Sequence, residues 1–335
     1  MLCQAGTSPV RMSEMYSSLL PEPPEAIAPA SSWMRWLSSR LFWLVRKRRG
    51  SVSEKKTRKV AIPENDVQFT PPMRPVEGNR PMRKIAIINH KGGVGKTSTT
   101  VHLSGTFAAM GYRVLICDCD SQGDLSSIYL EDHESLPYSI ADIFAGNGIP
   151  TSELVQKTFH ENIFVIPADA RLNQVDKTHG FEEDPNVQCL ADAVSQVEQE
   201  YDFILFDCPP RPHLSSFAAL ISATEVLIPC QASQFSVRSM AKLLQEIALA
   251  QKNLNPQLKI AGYFLSMVSS RSSTQHKYRE MLVAALGEDL VLRTAIPVMA
   301  TFESAINYGK PVSLHAPKSK AAQVMNSFAM ELIEG

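Results

Sequence analysis

The sequence predicts an α/β fold, a doubly wound and mostly parallel β-sheet flanked by helices, preceded by an extension of different character. Three observations carry that expectation. From residue 83 onward, apolar strand-like runs alternate with helix-like ones, the pattern of successive βαβ units. Several runs, such as Ile85-Ala86-Ile87-Ile88 and Phe203-Ile204-Leu205-Phe206, are unbroken apolar stretches, as expected of strands buried on both faces. The first of them leads into a glycine loop, Lys91-Gly92-Gly93-Val94-Gly95-Lys96-Thr97-Ser98, and then into a helical pattern.

The extension, residues 1–82, holds 13 Lys/Arg against 7 Asp/Glu, a net +6, whereas residues 83–335 carry 20 against 27, a net −7. It also contains 10 of the 22 prolines, and this composition predicts a largely disordered arm. Within it, residues 31–49 hold all 3 tryptophans. At 100° per residue, Trp33, Met34, Trp36, Leu37, Leu41, Trp43, Leu44 and Val45 share a broad apolar arc, although Arg40 intrudes and Phe42 falls outside it. Arg46-Lys47-Arg48-Arg49 follows. Tryptophans beside cations suit a lipid headgroup layer, a partner surface, the protein's own body, or DNA phosphates. Met82-Arg83-Lys84-Ile85 would also be a natural start for the following domain.

The first strand is expected at 84–89, and the loop after it reads as a phosphate cradle. Three glycines in four positions let backbone N–H groups turn onto an anion, and the helix begun by Ser98-Thr99-Thr100 adds its positive dipole end. The implied ligand is a nucleoside di- or triphosphate. Lys96 would reach the β- and γ-phosphates, and the Thr97 hydroxyl would coordinate Mg²⁺. His90 stands where the common G-x-x-x-x-G-K-[ST] pattern has its first glycine, so the loop is of another kind, marked by the extra Lys91.

Further strands are expected at 113–117, 162–166, 202–206, 225–229, 259–267 and 292–296. The clearest helices are Ala191–Glu200, Ser236–Lys252, Thr274–Leu286 and Lys320–Ile333. Two acidic motifs close strands at the sheet end where ligands of such folds bind. Asp118-Cys119-Asp120-Ser121-Gln122 follows the second strand, and its carboxylates can orient water or support Mg²⁺. Asp207, ending Tyr201-Asp202-Phe203-Ile204-Leu205-Phe206, is a partner for Mg²⁺ through its water shell.

The loop, the D-x-D-x-Q segment and the D-x-x-x-x-D-x-P-P segment at 202–210 together resemble the ParA/MinD family of deviant Walker-type P-loop ATPases, over residues 83–335. The resemblance implies ATP and Mg²⁺ as cofactors and a nucleotide-sandwich homodimer in which Lys91 crosses to the partner's nucleotide. It implies that Gly92, Gly93, Val94, Gly95, Lys96, Thr97 and Ser98 hold the phosphates. Asp120 would position or activate the attacking water, and Thr97, Asp118 and Asp207 would support the metal. Cys208-Pro209-Pro210 would sense the γ-phosphate, and Pro297–Met299 would approach the adenine, with Val298 where ParA proteins often carry a basic residue. Ser121 replaces their usual proline.

ParA relatives bind DNA non-specifically through basic residues of the C-terminal half, and the candidates here are Lys252, Lys259, Arg271, Lys277, Arg279 and Arg293. The C-terminal helix lacks the basic amphipathic tail by which MinD proteins meet membranes, which favours the ParA branch. That branch implies an ATPase-stimulating adaptor, ParB-like or other, and the segregation or positioning of plasmid, chromosome or protein cargo in a nucleoid-associated, cytoplasmic setting. The competing reading is a membrane-peripheral, MinD-like regulator of an envelope complex acting through residues 31–49. A kinase or metallo-reductase on the same loop is the third, and the chain has no tyrosine-rich tail to support a kinase. The 6 cysteines lack zinc-site spacing and disulfide-scaffold density, which fits a reducing compartment. No apolar stretch approaches the ~20 residues that span a bilayer.

Overall fold

A computed structural model of the chain describes residues 82–178, 184–231, 237–269 and 274–334. Residues 1–81, with the tryptophan-rich segment 31–49, lie outside the described residues. In chain order the elements are β1 (Arg83–Ile87), α1 (Lys96–Ala109), β2 (Val114–Asp118), α2 (Asp124–Tyr129), α3 (Ile140–Ala145), α4 (Thr151–Leu154), β3 (Gln156–Lys157) and β4 (Ile163–Ile166). There follow α5 (Leu172–Thr178), α6 (Cys189–Ser195), β5 (Phe203–Asp207), α7 (Leu214–Ser222), β6 (Glu225–Gln231), α8 (Val237–Asn253) and β7 (Lys259–Ser266). The chain ends with α9 (Thr274–Leu286), α10 (Ala300–Asn307), α11 (Val312–His315) and α12 (Lys320–Glu334).

The strands form one sheet in the order β3-β4-β2-β5-β1-β6-β7, and every pairing is parallel except that of β3 with β4. The central strands β1, β2 and β5 are buried on both faces, which is why they read as unbroken apolar runs. On one face Val101, Leu103 and Phe107 of α1 pack with Phe302, Val312 and Phe328 from the C-terminal helices. On the other, Leu190, Phe217, Leu243 and Ile247 from α6, α7 and α8 cover the sheet. The Phe107 and Phe203 rings stack at 3.9 Å, fixing α1 to β5.

Helix α1 is enclosed nearly all round in spite of its Thr, Ser and His content. Its hydroxyls are satisfied locally. Thr100, Ser104 and Thr106 donate to the carbonyls of Lys96, Val101 and His102. Gly105 lets the Pro311 ring lie against the helix, because a Cβ there would come within 2.1 Å of Pro311 Cβ.

Several sequence expectations need correction. Helix α1 starts at Lys96 and not at Ser98, because Gly95 in the left-handed region serves as its N-cap. The run expected as a helix over 191–200 is α6 followed by a 3₁₀ turn at Glu198–Glu200. Residues 292–296 form no strand. They run beside β7, Leu292 and Ile296 donating to Tyr263 and Leu265, but the amides of Arg293 and Thr294 are taken by Glu331 of α12. The two-residue edge strand β3 was not expected at all.

Candidate functional site

The loop after β1 is built as its glycines predict. Gly93 and Gly95 have φ of 72° and 83°, a region that costs other residues about 1–2 kcal/mol. A Cβ at Gly93 would meet nothing within 4 Å, so the space over the loop is open. Helix α1 has no side-chain cap and no acidic residue in its first turn. Its leading N–H groups therefore face that space without a carboxylate competing for them, an arrangement that fits a phosphate. Gly92 lies near Pro210 of the Cys208-Pro209-Pro210 segment, a Cβ built on it coming 4.0 Å from Pro210 Cβ.

The two lysines of the loop are placed differently. Lys96 is only 7% exposed, and its Nζ donates to the Lys91 carbonyl at 3.3 Å. Burial lowers its pKa, an effect opposed by Asp207, Cys208 and Asp120. Lys91, Gly92 and Gly93 are exposed. The peptide carrying Lys91 is fixed by Asn89, whose Oδ1 accepts from Lys91 N at 3.0 Å and whose Nδ2 donates to Pro229 O at 2.8 Å.

Asp207 ends β5 beside Asp118, its register partner on β2. Burial raises the Asp207 pKa, and Asp118 adds to the rise; the Thr97 hydroxyl, hydrogen-bonded to it, and Lys96 work in the other direction. Thr100 also donates to Asp207 Oδ1 at 3.2 Å. The Thr97 hydroxyl and the Asp207 carboxylate are hard oxygen donors side by side at the end of the loop, and they fit a magnesium ion. Asp118 is engaged elsewhere. Its Oδ2 accepts from Ser126 N and Oγ at 3.0 and 2.6 Å, and its Oδ1 accepts from Asp120 N at 3.1 Å. Burial pushes its pKa up to about 7 despite those bonds. Asp118 thus holds the start of α2 and the peptide of Asp120, the half-exposed carboxylate of the pair. Asp120 Oδ1 accepts from Gln122 N at 3.1 Å, and Ser121 Oγ donates to Asn173 Oδ1 at 2.9 Å.

On the other side of the loop, Val268 donates to Ile296 O at 3.0 Å and Val298 to Val268 O at 2.9 Å. These bonds hold Pro297 and Val298 beside Met267, whose Cγ lies 3.7 Å from a Cβ built on Gly95. Met267 has φ 52°, unusual for a non-glycine residue, and it and Val298 are 43% and 62% exposed. The segment expected near a base therefore sits next to the loop. Ser126, Thr100, Asn89 and Met267 were not singled out in the sequence; only Thr100, one turn after Lys96 on the same helix, carried a spacing signal.

The described DNA candidates lie on several separate elements. Lys252 ends α8 and Lys259 opens β7, both exposed, while Lys277 and Arg279 stand two apart on α9 and so diverge. Arg293 is exposed and pairs with Glu331 at 3.6 Å. Arg271 lies outside the described residues. Among the described residues, no group of three His, Cys, Asp or Glu side chains forms a cation cage, and no helix is long and apolar enough to cross a membrane.

Comparison with known proteins places this geometry. A family model described as an AAA domain matches residues 82–260. The sporulation initiation inhibitor protein Soj of Bacillus subtilis is 34% identical over 251 residues, 74% of this chain and 97% of that protein. The chromosome partitioning protein ParA of Caulobacter vibrioides is 32% identical over 255 residues, 76% of this chain and 94% of its own length. Among solved structures, cobyrinic acid a,c-diamide synthase from Mycobacterium smegmatis with bound ADP and magnesium superposes with a TM-score of 0.63 at 26% identity, covering 75% of this chain and 94% of that one. The septum site-determining protein MinD of Pyrococcus horikoshii shares the fold, with a TM-score of 0.59 at 23% identity over 75% of this chain and 96% of its own.

Proposed function

Because the chain belongs to the ParA/MinD family of P-loop ATPases, we propose that it is a ParA-type ATPase that dimerises around ATP and Mg²⁺. In this reading residues 83–335 are the ATPase domain and residues 1–82 an appended segment. The observation that carries it is the contrast between the two loop lysines. Lys96 is buried in its own cradle, whereas Lys91 is exposed and has its backbone fixed by Asn89. A cation held at the mouth of a phosphate site is available to a second subunit's nucleotide.

Bound Mg²⁺·ATP supplies the transferable γ-phosphoryl group and the divalent charge. The amides of residues 92–98 cradle the phosphates and Lys96 neutralises them. Thr97 and Asp207 would hold the metal, and Asp118 keeps Asp120 in place, where it would orient the attacking water. The Pro297–Met299 segment and Met267 flank the base. Lys91 of the partner subunit completes the site, so hydrolysis ends the association.

The output of such a cycle is timed binding: the ATP dimer engages DNA non-specifically through Lys252, Arg271, Lys277, Arg279 and Arg293. A stimulating adaptor then triggers release, and cargo is segregated or positioned. A MinD-like membrane role would depend on residues 31–49, since α12 buries Val324, Met325, Phe328 and Leu332 against the core. Sedimentation with ATP, ADP or no nucleotide tests the dimer. The unaltered chain should dimerise with ATP alone, and Lys91→Ala should stay monomeric and lose hydrolysis. If Lys91→Ala dimerises and hydrolyses ATP like the parent, this assignment of Lys91 is wrong.

A further inference from the structure

The residue in front of Lys91 does work that no motif assigns to it. His90 occupies the place of the first glycine in the common phosphate-loop pattern, and its side chain is only 7% exposed. Its Nε2 lies 2.8 Å from Oε2 of Glu246 on α8, a carboxylate itself only 13% exposed. The approach is off the ring's hydrogen-bonding axis, since neither imidazole nitrogen makes an aligned hydrogen bond. The contact is therefore a close polar one between ring and carboxylate. Glu246 is held inward by its helix, because Leu243 and Ile247 beside it are both buried. Removing either side chain would take this contact away from the loop.

The peptide of Lys91 is thus gripped from two directions. Asn89 ties it to the end of β6, and His90 ties it to α8. The carbonyl of Lys91, in the next peptide, accepts from Lys96 Nζ, so a displacement at His90 reaches the phosphate-binding lysine through one residue. We propose that Glu246 is a positioning residue for the phosphate loop: through His90 it holds the Lys91 peptide and couples nucleotide binding to helix α8. This rests on the nucleotide site proposed above.

The test is a double-mutant cycle on ADP·Mg²⁺ binding to the full chain by titration calorimetry, well below the melting temperature of the least stable variant. His90→Ala and Glu246→Ala should each weaken ADP about tenfold, equivalent to about 1.4 kcal/mol. The double variant should be no weaker than the weaker single, since both remove one grip. If Glu246→Ala does not fold, Glu246→Gln keeps the shape without the charge and should show the same loss. Lower melting temperatures with unchanged ADP affinity would reduce the contact to a structural one and overturn the proposal, as would additive losses. If the unaltered chain binds no ADP, the nucleotide reading falls and this inference with it. If it binds and the variants match it, only the inference falls.

Discussion

Replacing Gly105 with alanine sets two effects of known sign against each other. Gly105 lies inside α1, and an alanine in a helix interior is favoured over glycine by up to about 1 kcal/mol. Against this, the new Cβ would sit 2.1 Å from Pro311 Cβ, 2.4 Å from Pro311 Cγ and 3.1 Å from Ser313 Oγ. Normal carbon contacts are about 3.5–4.0 Å, so the overlap is more than an ångström, and the pyrrolidine ring cannot rotate away. Overpacking of this kind costs about 1–3 kcal/mol, and the depth of the overlap argues for the upper end. The net expectation is a loss of about 2 kcal/mol. For a domain near 250 residues this lowers Tm by about 4–8 °C.

The displaced partner is the start of α11, where Val312 N donates to His102 Nδ1 at 3.1 Å. Moving that segment to relieve the overlap would loosen this bond. Thermal and urea unfolding of Gly105→Ala beside the unaltered chain, without nucleotide, reads the effect. An unchanged or higher Tm would mean that helix propensity wins and that the reasoning from close approach fails.

Two further outcomes follow from buried charge. Desolvation lowers the His102 pKa from 6.5 to about 4, so the ring stays neutral in the fold while the unfolded chain takes up a proton below pH 6.5. Stability is therefore full above pH 6.5 and falls as pH drops toward 4, by about 2 kcal/mol at pH 5. Urea unfolding at pH 5 and 7 should show this loss, and His102→Asn should flatten it; equal slopes in both proteins would exclude His102 as the cause. Asp207→Asn removes a buried carboxylate that faces Asp118 and should stabilise the nucleotide-free protein at neutral pH by about 1 kcal/mol. The same variant should lose the Mg²⁺ dependence of ADP binding, and a destabilised free protein or retained Mg²⁺ dependence would contradict the placement of Asp207.

The legible parts of the fold were those set by local chemistry. Strands buried on both faces must be apolar throughout, so β1, β2 and β5 were visible, and the alternation with helices announced the parallel sheet. The glycines of the loop were legible because only a few residues take φ near 72° and 83°. What failed depended on distant partners. Leu292 to Ile296 has the composition of a strand, but Glu331 reaches Arg293 N and Thr294 N from 37–38 residues away and no local pattern foretells it. Strand β3 is two residues long and owes its existence to Val165 and Phe164 opposite. Glu246 carries no local signal in the sequence, and only the fold brings it to His90.

The strand order explains why one loop can report to both sides of the sheet. Because β1 lies between β5 and β6, the chain leaving it has Asp207 on one flank and Pro229 on the other. On the first flank the loop meets the carboxylate that Thr97 and Thr100 engage, and Pro210 leans on Gly92. On the second it is held by Asn89 and by the His90–Glu246 contact with α8. An edge strand would have had only one such neighbour. The loop is therefore attached on both flanks, to Asp207 and Pro210 on one and to Pro229 and Glu246 on the other.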